Sequence, residues 1–553
     1  MPPQPGLRFR QLMGESPFWM ALLLCAAARW LGRSYADAPF VIPWNFWQLL
    51  DAETLRQAPL RSLYLLHMQP PLLNGLYALS LAMPGSAGPI FLQALFLSCS
   101  AIMVSIVYFF LRRYGVRPAS AGAAAFLFGI LPQILTYENL FFYPHLEATL
   151  LLCAMFFASR FFEERRVASF TALAACLVVL ALLRSLFHLG WIAVALFAVW
   201  GIASYRHGRQ TRALAVAVVA VAAVTAMYVK NLREFGTFSA SSWQGVNFAS
   251  MMMLAPTEKP SYPEVAGDMA ARARRGEFSE AMRVAIGTPR VFEGWTAFAR
   301  GCAESEAKDE ALCVVRRADG KVNFNNIAMV EYSQALGRDA FRLLRLHPEV
   351  YLRHVASSVK SFLAMPSWEH PTLAVPFKPY ADFWSALLLY DDRPSANRGG
   401  LAHLSDHFGQ MSFLHALLVV GGLAIIVAKG MADLLGYCRK RQATADGVFP
   451  VLAVLLFAIV PNVINGAEAQ RIRYSIEPML FLALVLGATA AIERLAVRRR
   501  PASAPRWRSA GPGAGGQRLP SAAAPSASQP AMKARPPTGA TAPNQRGPSS
   551  ART

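Results

Sequence analysis

Charge is scarce in this sequence, and acidic charge is scarcest: Asp, Glu, Lys and Arg make up 16% of the 553 residues, with 33 acidic residues against 54 basic ones. Soluble domains carry about a quarter of their residues charged. A chain that is 54% hydrophobic, with a mean hydropathy of +0.32, therefore falls among membrane proteins. Acidic residues are missing altogether from 501–553, a run of Ala, Pro, Ser, Gly and Arg. Such a composition cannot bury enough apolar surface to offset chain entropy, so 498–553 is expected to be a disordered basic cytoplasmic tail touching anionic lipid. No Cys and His spacing suits a metal. The first apolar run ends Ala27-Ala28-Arg29-Trp30-Leu31-Gly32-Arg33 without a cleavage site, which marks it as a retained helix rather than a signal peptide.

What is present is apolar length. Runs close to the ~20 residues that cross a bilayer occur near 17–34, 89–111, 118–136, 141–160, 167–184, 186–204, 212–229, 410–429, 449–465 and 474–493. The expected fold is an all-α polytopic membrane protein with about ten transmembrane helices. The formal charge of +21 does not imply nucleic acid, because the basic residues lie between apolar runs and not on one folded face. With the N-terminus inside, the basic runs at 112–117, 165–166, 205–212, 439–441 and 498–500 all fall on the cytoplasmic side, as the positive-inside rule requires.

That topology places 35–88, 137–140 and 230–409 outside. The apolar segment 70–83 is too short to cross and is punctuated by Pro84 and Pro89. It reads as an interfacial helix, with 43–57 as a second that sets Trp44 and Trp47 at headgroup depth. Within 230–409, helical patterns at 266–283 and 339–362 predict a small α-rich extracytoplasmic domain with no sheet. The chain thus divides into an N-terminal transmembrane module (1–229), that outer domain, C-terminal transmembrane helices (410–497) and the tail. Cys302 and Cys313, the two cysteines of the outer domain, are expected to form a disulfide there.

Ionisable residues collect at the outer ends of the spans: Asp37 and Asp51, His67 and Gln69, Glu138 and His145, Arg184 and His188, Lys230 and Arg233, and Glu468, Arg471 and Arg473. Any one of them has a bland reading as a polar loop residue or a snorkelling arginine. As a set, basic residues on the outer side run against the positive-inside bias. They suit an anionic headgroup: cations hold a phosphate and stabilise it as leaving group, while a carboxylate takes a proton from an attacking hydroxyl.

Leu66-His67-Met68-Gln69-Pro70-Pro71-Leu72 follows an acidic residue placed after the first helix. Arg112-Arg113-Tyr114-Gly115, Tyr137-Glu138-Asn139 and Arg471-Ile472-Arg473-Tyr474 come after it in that order. In these motifs and their order the chain resembles the GT-C membrane glycosyltransferases, which include protein O-mannosyltransferases and the lipid A aminoarabinose transferase. The resemblance covers 1–230 and 449–495. Two features depart from the family pattern: the acidic pair directly after the first helix is absent, and Gln69 stands where some relatives have a phosphate-binding Lys.

The resemblance implies a glycosyltransferase of the bacterial inner membrane that moves a sugar from a polyprenyl-phosphate donor to a lipid, glycan or protein acceptor on the extracytoplasmic face. Asp37 would be the base, with Asp51 as competitor. Arg184, Lys230, Arg471 and Arg473 would bind phosphate, and Glu138, His145, His67, Gln69 and His188 would complete the substrate site. No cofactor follows from the residues, and a divalent metal at the donor phosphate stays open. Two alternatives remain. One is a flippase for a lipid-linked sugar, which would be expected to use broken helices and inverted repeats, neither of which is evident in the sequence. The other is a polysaccharide polymerase or ligase, which lacks the early Pro-Pro-Leu segment.

Overall fold

A computed structural model describes residues 11, 13–36, 40–43, 48–252, 263–287, 294–296, 310–317, 320–364, 417–442, 444–464 and 469–498. By internal packing the chain divides after Val497, and all of the expected tail but Arg498 lies outside the described residues.

The protein is an all-α polytopic membrane protein. The helices used below are α1 (Ser16–Ala36), α2 (Ala52–Gln57), α3 (Leu72–Leu81), α4 (Ala87–Arg113), α5 (Pro118–Gly129), α6 (Pro132–Glu138), α7 (Tyr143–Glu164), α8 (Val167–Leu183), α9 (Leu189–His207), α10 (Thr211–Phe235), α11 (Gln244–Met252), α12 (Ala328–Leu346), α13 (Pro348–Ala364), α14 (Gly422–Cys438), α15 (Val448–Ile464) and α16 (Glu477–Arg498). Among the described residues six helices are long and apolar enough to cross a bilayer, and the bent α5 and α6 pair is a seventh if the two helices count as one span. Shorter apolar helices at Ser16–Leu31, Val167–Leu183 and Val448–Ile464 occupy the remaining three predicted positions.

Local chemistry sets the boundaries. Proline occupies the first turn of α5, α6 and α7, where its missing N–H costs nothing. Gly208 (φ 80) and Gly236 (φ 66) close α9 and α10 in conformations that favour glycine.

Three sequence expectations need correction. The third span is broken: α5 and α6 meet at 55°, because Pro132 forces Leu131 into an extended conformation (ψ 142) and so ends the preceding helix. A broken helix is therefore present where the sequence reading found none. The expected helix over 43–57 is also not continuous, since α2 begins only after Asp51 and stops at Ala58, before a separate Pro59–Tyr64 helix. Finally, each of the two outer patterns splits in two. The first forms Pro263–Arg274 and Glu280–Gly287 around a left-handed Gly276, and the second breaks into α12 and α13 at Pro348.

α3 is not merely laid on the surface. Leu73, Asn74 and Tyr77 are buried, and Asn74 pins the segment before α2, its Oδ1 accepting from Leu50 N (2.7 Å) while its Nδ2 donates to Gln48 O (3.0 Å). The described residues show isolated bridges (Val41 with Leu140, Arg316 with Val322) and no sheet. Cys313 is disulfide-bonded, whereas Cys25, Cys99, Cys153, Cys176 and Cys438 are free thiols. The expected partner, Cys302, lies outside the described residues.

Candidate functional site

The predicted residues separate into two buried networks that meet on one segment, a clasp apart from them, and a cleft. In the first network Glu138, at the end of α6, is 1% exposed. Its Oε2 accepts from Arg29 Nε (2.9 Å) and from the Ser100 hydroxyl (2.7 Å). The His145 ring lies against Ser100 Oγ (3.0 Å) and the Phe96 carbonyl (3.1 Å) through Nε2, and against the Tyr474 hydroxyl (2.8 Å) through Nδ1. Because a carbonyl can only accept, Nε2 carries the proton and Nδ1 accepts from Tyr474. A directed chain results, running from Tyr474 through His145 and Ser100 to Glu138.

The second network is built on the first turns of α7. Glu147 is fully buried, accepts from Arg184 (3.1 and 3.3 Å) and from Ser475 Oγ (2.6 Å). The Arg184 guanidinium lies 4.3 Å from the centre of the Tyr143 ring, and that of Arg471 lies 5.5 Å from the same ring. Arg471 also donates to the Tyr143 hydroxyl (3.1 Å) and lies over Phe142 (4.6 Å). Two cations thus converge on one aromatic residue, with one carboxylate facing Arg184. Tyr474 of the first network and Ser475 of the second are neighbours in the 3₁₀ turn Tyr474–Ile476, so this turn joins the two.

Arg184 reaches solvent at a cleft of about 80 Å³ that is also lined by His188, Ser239, Ser241, Gln244 and Asn247. Burial pushes the His188 ring below its usual pKa, so it is neutral at neutral pH. Close approach of backbones builds this wall: a Cβ on Gly245 would meet the Ser333 carbonyl, which lets α11 pack directly on α12.

His67 and Lys230 form the clasp. His67 is fully buried; its Nε2–H donates to the Asn325 carbonyl (2.8 Å) and its Nδ1 accepts from the Ser242 hydroxyl (2.8 Å). Desolvation lowers its pKa to about 3. Lys230 Nζ donates to the carbonyls of Tyr64 (2.9 Å) and Leu66 (3.0 Å). Both side chains thus fasten residues 64–67 to α10 and to the segments that carry Ser242 and Asn325. Gln69 is half-buried beside them, next to Met68, whose carbonyl accepts from Ser241 Oγ (2.5 Å).

Arg473 is fully buried, paired with Glu477 (2.9 Å) and donating to the Phe362 carbonyl, which ties α13 to the start of the last span. Asp51 is the N-cap of α2, its Oδ1 accepting from Glu53 N (2.9 Å) and Thr54 N (3.2 Å). Asp37 and Glu468 lie outside the described residues. Arg29, Tyr143, Glu147 and Ser475 were not singled out in the sequence. The available signal was Glu147 inside an apolar run, since a carboxylate at membrane depth is costly without a partner. Among the described residues no three His, Cys, Asp or Glu side chains converge as metal ligands.

No protein-family model and no curated protein matches the sequence. Among solved structures, the Archaeoglobus fulgidus oligosaccharyltransferase tethered with an acceptor peptide is similar at a TM-score of 0.29 and 12% identity, over 87% of this chain and 50% of that one. The chain spans about half the length of that structure.

Proposed function

We propose that this multi-pass membrane protein is a glycosyltransferase that moves a sugar from a polyprenyl-phosphate donor to a lipid, glycan or protein acceptor on the extracytoplasmic face of a bacterial inner membrane. The observation that carries this reading is the convergence of Arg184 and Arg471 on Tyr143, with Arg184 opening onto a cleft lined by serine and amide side chains on one part and by apolar residues such as Val460 and Ile464 on another. Like charges drawn together suit a shared anion. The neighbouring Ser239, Gln244 and Asn247 suit sugar hydroxyls.

In this reading the donor phosphate sits against the two arginines. A carboxylate takes the proton from the acceptor hydroxyl, the hydroxyl oxygen attacks the anomeric carbon, and the bond from that carbon to the phosphate oxygen breaks. Polyprenyl phosphate leaves with the electron pair, its charge held by Arg184 and Arg471, and the sugar carbon inverts. Asp37 is the base of choice, because Asp51 spends an oxygen on its helix cap. Glu138 and His145 orient the Tyr474–Ile476 turn, which follows directly on the short helix that carries Arg471.

The broken span between α5 and α6 favours a second reading, a flippase for the same lipid-linked sugar. Vesicles reconstituted with labelled donor and acceptor separate the two. The glycosyltransferase forms labelled product, and Arg471→Ala weakens donor binding and rate together, since a phosphate contact exists in both ground and transition states. Donor that crosses the bilayer without product would overturn the enzyme reading.

A further inference from the structure

A groove of about 550 Å³ lies between α4, α7 and the start of α8, away from the two networks. Its floor is apolar: Ile102, Ile106, Phe156 and Phe157 line it, together with Cys153. Its rim is not. Arg160, Glu164 and Arg166 stand at one end, the membrane edge that carries the basic short loops.

The turn that makes this rim is specified locally. Arg165 takes a left-handed conformation (φ 57) and ends α7, so the chain reverses at once and Arg166 becomes the N-cap of α8. That geometry brings the arginines and the positive end of the α8 dipole to one spot. The acidic offset is small. Glu163 is held by the buried Arg113 (2.7 Å), and Glu164 pairs with Arg160. Arg166 forms a second, longer ion pair with the same Glu164 (3.8 Å), with its side chain 74% exposed, so one carboxylate is shared between two arginines. By contrast, the arginine of another groove on α4, of about 320 Å³, is Arg29, which is committed to Glu138 and to the carbonyls of Cys25 and Gly129.

We propose that the groove between α4, α7 and α8 is a binding site for an anionic phospholipid, whose acyl chains lie against Ile102, Ile106, Phe156 and Phe157 and whose phosphate is held by Arg160 and Arg166. An apolar trough that ends in an excess of guanidinium groups complements an acyl chain that ends in a phosphate. A zwitterionic headgroup would bring its own cation to the same rim and lose that advantage.

The test uses the full chain in neutral detergent, with native mass spectrometry reading retention of dioleoyl phosphatidylglycerol against dioleoyl phosphatidylcholine. Wild-type protein should retain the anionic lipid preferentially, and Arg166→Gln should cut that preference about fivefold, as expected for one arginine near a charged headgroup. Arg166 is exposed, so this variant should fold normally. Arg209→Gln, in another basic loop, should leave the preference intact. Phosphatidylglycerol carrying a diazirine on its acyl chain should label peptides spanning 101–106 and 153–157. The proposal is overturned by equal retention of both lipids, by equal effects of the two variants, or by labelling elsewhere.

Discussion

The rings of Tyr137 and Tyr474 stack with centroids 4.3 Å apart and 29° between their planes. One comes from the α6 turn and the other from the segment before the last span, so motifs far apart in sequence share a single packed layer. Glu138 follows the first ring and Ser475 the second. This stacking therefore sets the relative position of the two polar networks.

Glu147 should prove the most sensitive polar residue of the bundle. Glu147→Gln keeps an acceptor for Ser475 but leaves the Arg184 charge without its carboxylate at a site where both side chains are buried. Breaking such a pair costs about 3–5 kcal/mol, measurable as a fall in detergent thermal stability. The double variant Glu147→Gln with Arg184→Met should recover much of that loss. Full stability in the single variant would show that the pair is not desolvated as described.

The two candidate bases can be told apart by opposite signatures. Asp51→Ala should cost about 1 kcal/mol through loss of the α2 cap, while Asp51→Asn, an equally good cap, should be nearly neutral. Asp37→Asn should lower sugar transfer by ~10² to 10⁴ with stability unchanged. If Asp51→Asn abolished transfer and Asp37→Asn did not, the roles would be reversed.

His67 makes a pH prediction. Its folded pKa of about 3 lies below the usual ~6.5, so the unfolded chain binds a proton that the folded one refuses between those values. The clasp is thus at full strength above about pH 6.5 and weakens as pH falls towards 3, by up to ~1.4 kcal/mol per unit. The difference in melting temperature between wild type and His67→Gln should shrink across that window. A difference independent of pH would mean that the ring is charged or solvated in the native state.

Thiol titration of the denatured, unreduced protein should give five thiols, matching the five free cysteines, and seven after reduction, the full complement. Seven before reduction would exclude the bond at Cys313.

Spans were legible because apolar length is a property of composition, and a single polar residue such as Glu147 scarcely dilutes it. Breaks were less so. Pro132 was visible, but a proline in an apolar run can kink, end or simply start a helix, and packing decides which. Individual roles were the least legible. His67, Lys230 and Arg473 sit where ligands would be expected, yet they donate to carbonyls contributed by remote segments (Asn325, Leu66 and Phe362), whose proximity no local pattern encodes; only the pairing of Arg473 with Glu477, four residues on, is local. Arg29, which nothing in the sequence singled out, is the counter-ion of Glu138.

That arginine has a further role at the break in the third span. Where α5 stops, its last carbonyls lose their helical partners, and Arg29 donates to one of them, Gly129 O (2.9 Å), with the same guanidinium that meets Glu138. Gly129 must be small there, since a Cβ would sit 2.5 Å from Cys25 Sγ and 2.9 Å from Val104. The joint is consequently fastened by a charge and not by a proline alone. Anything that neutralises Glu138, whether a proton or an incoming cation, would slacken Arg29's hold on the elbow. The local electrostatics and the angle between the two half-helices are in this sense one variable.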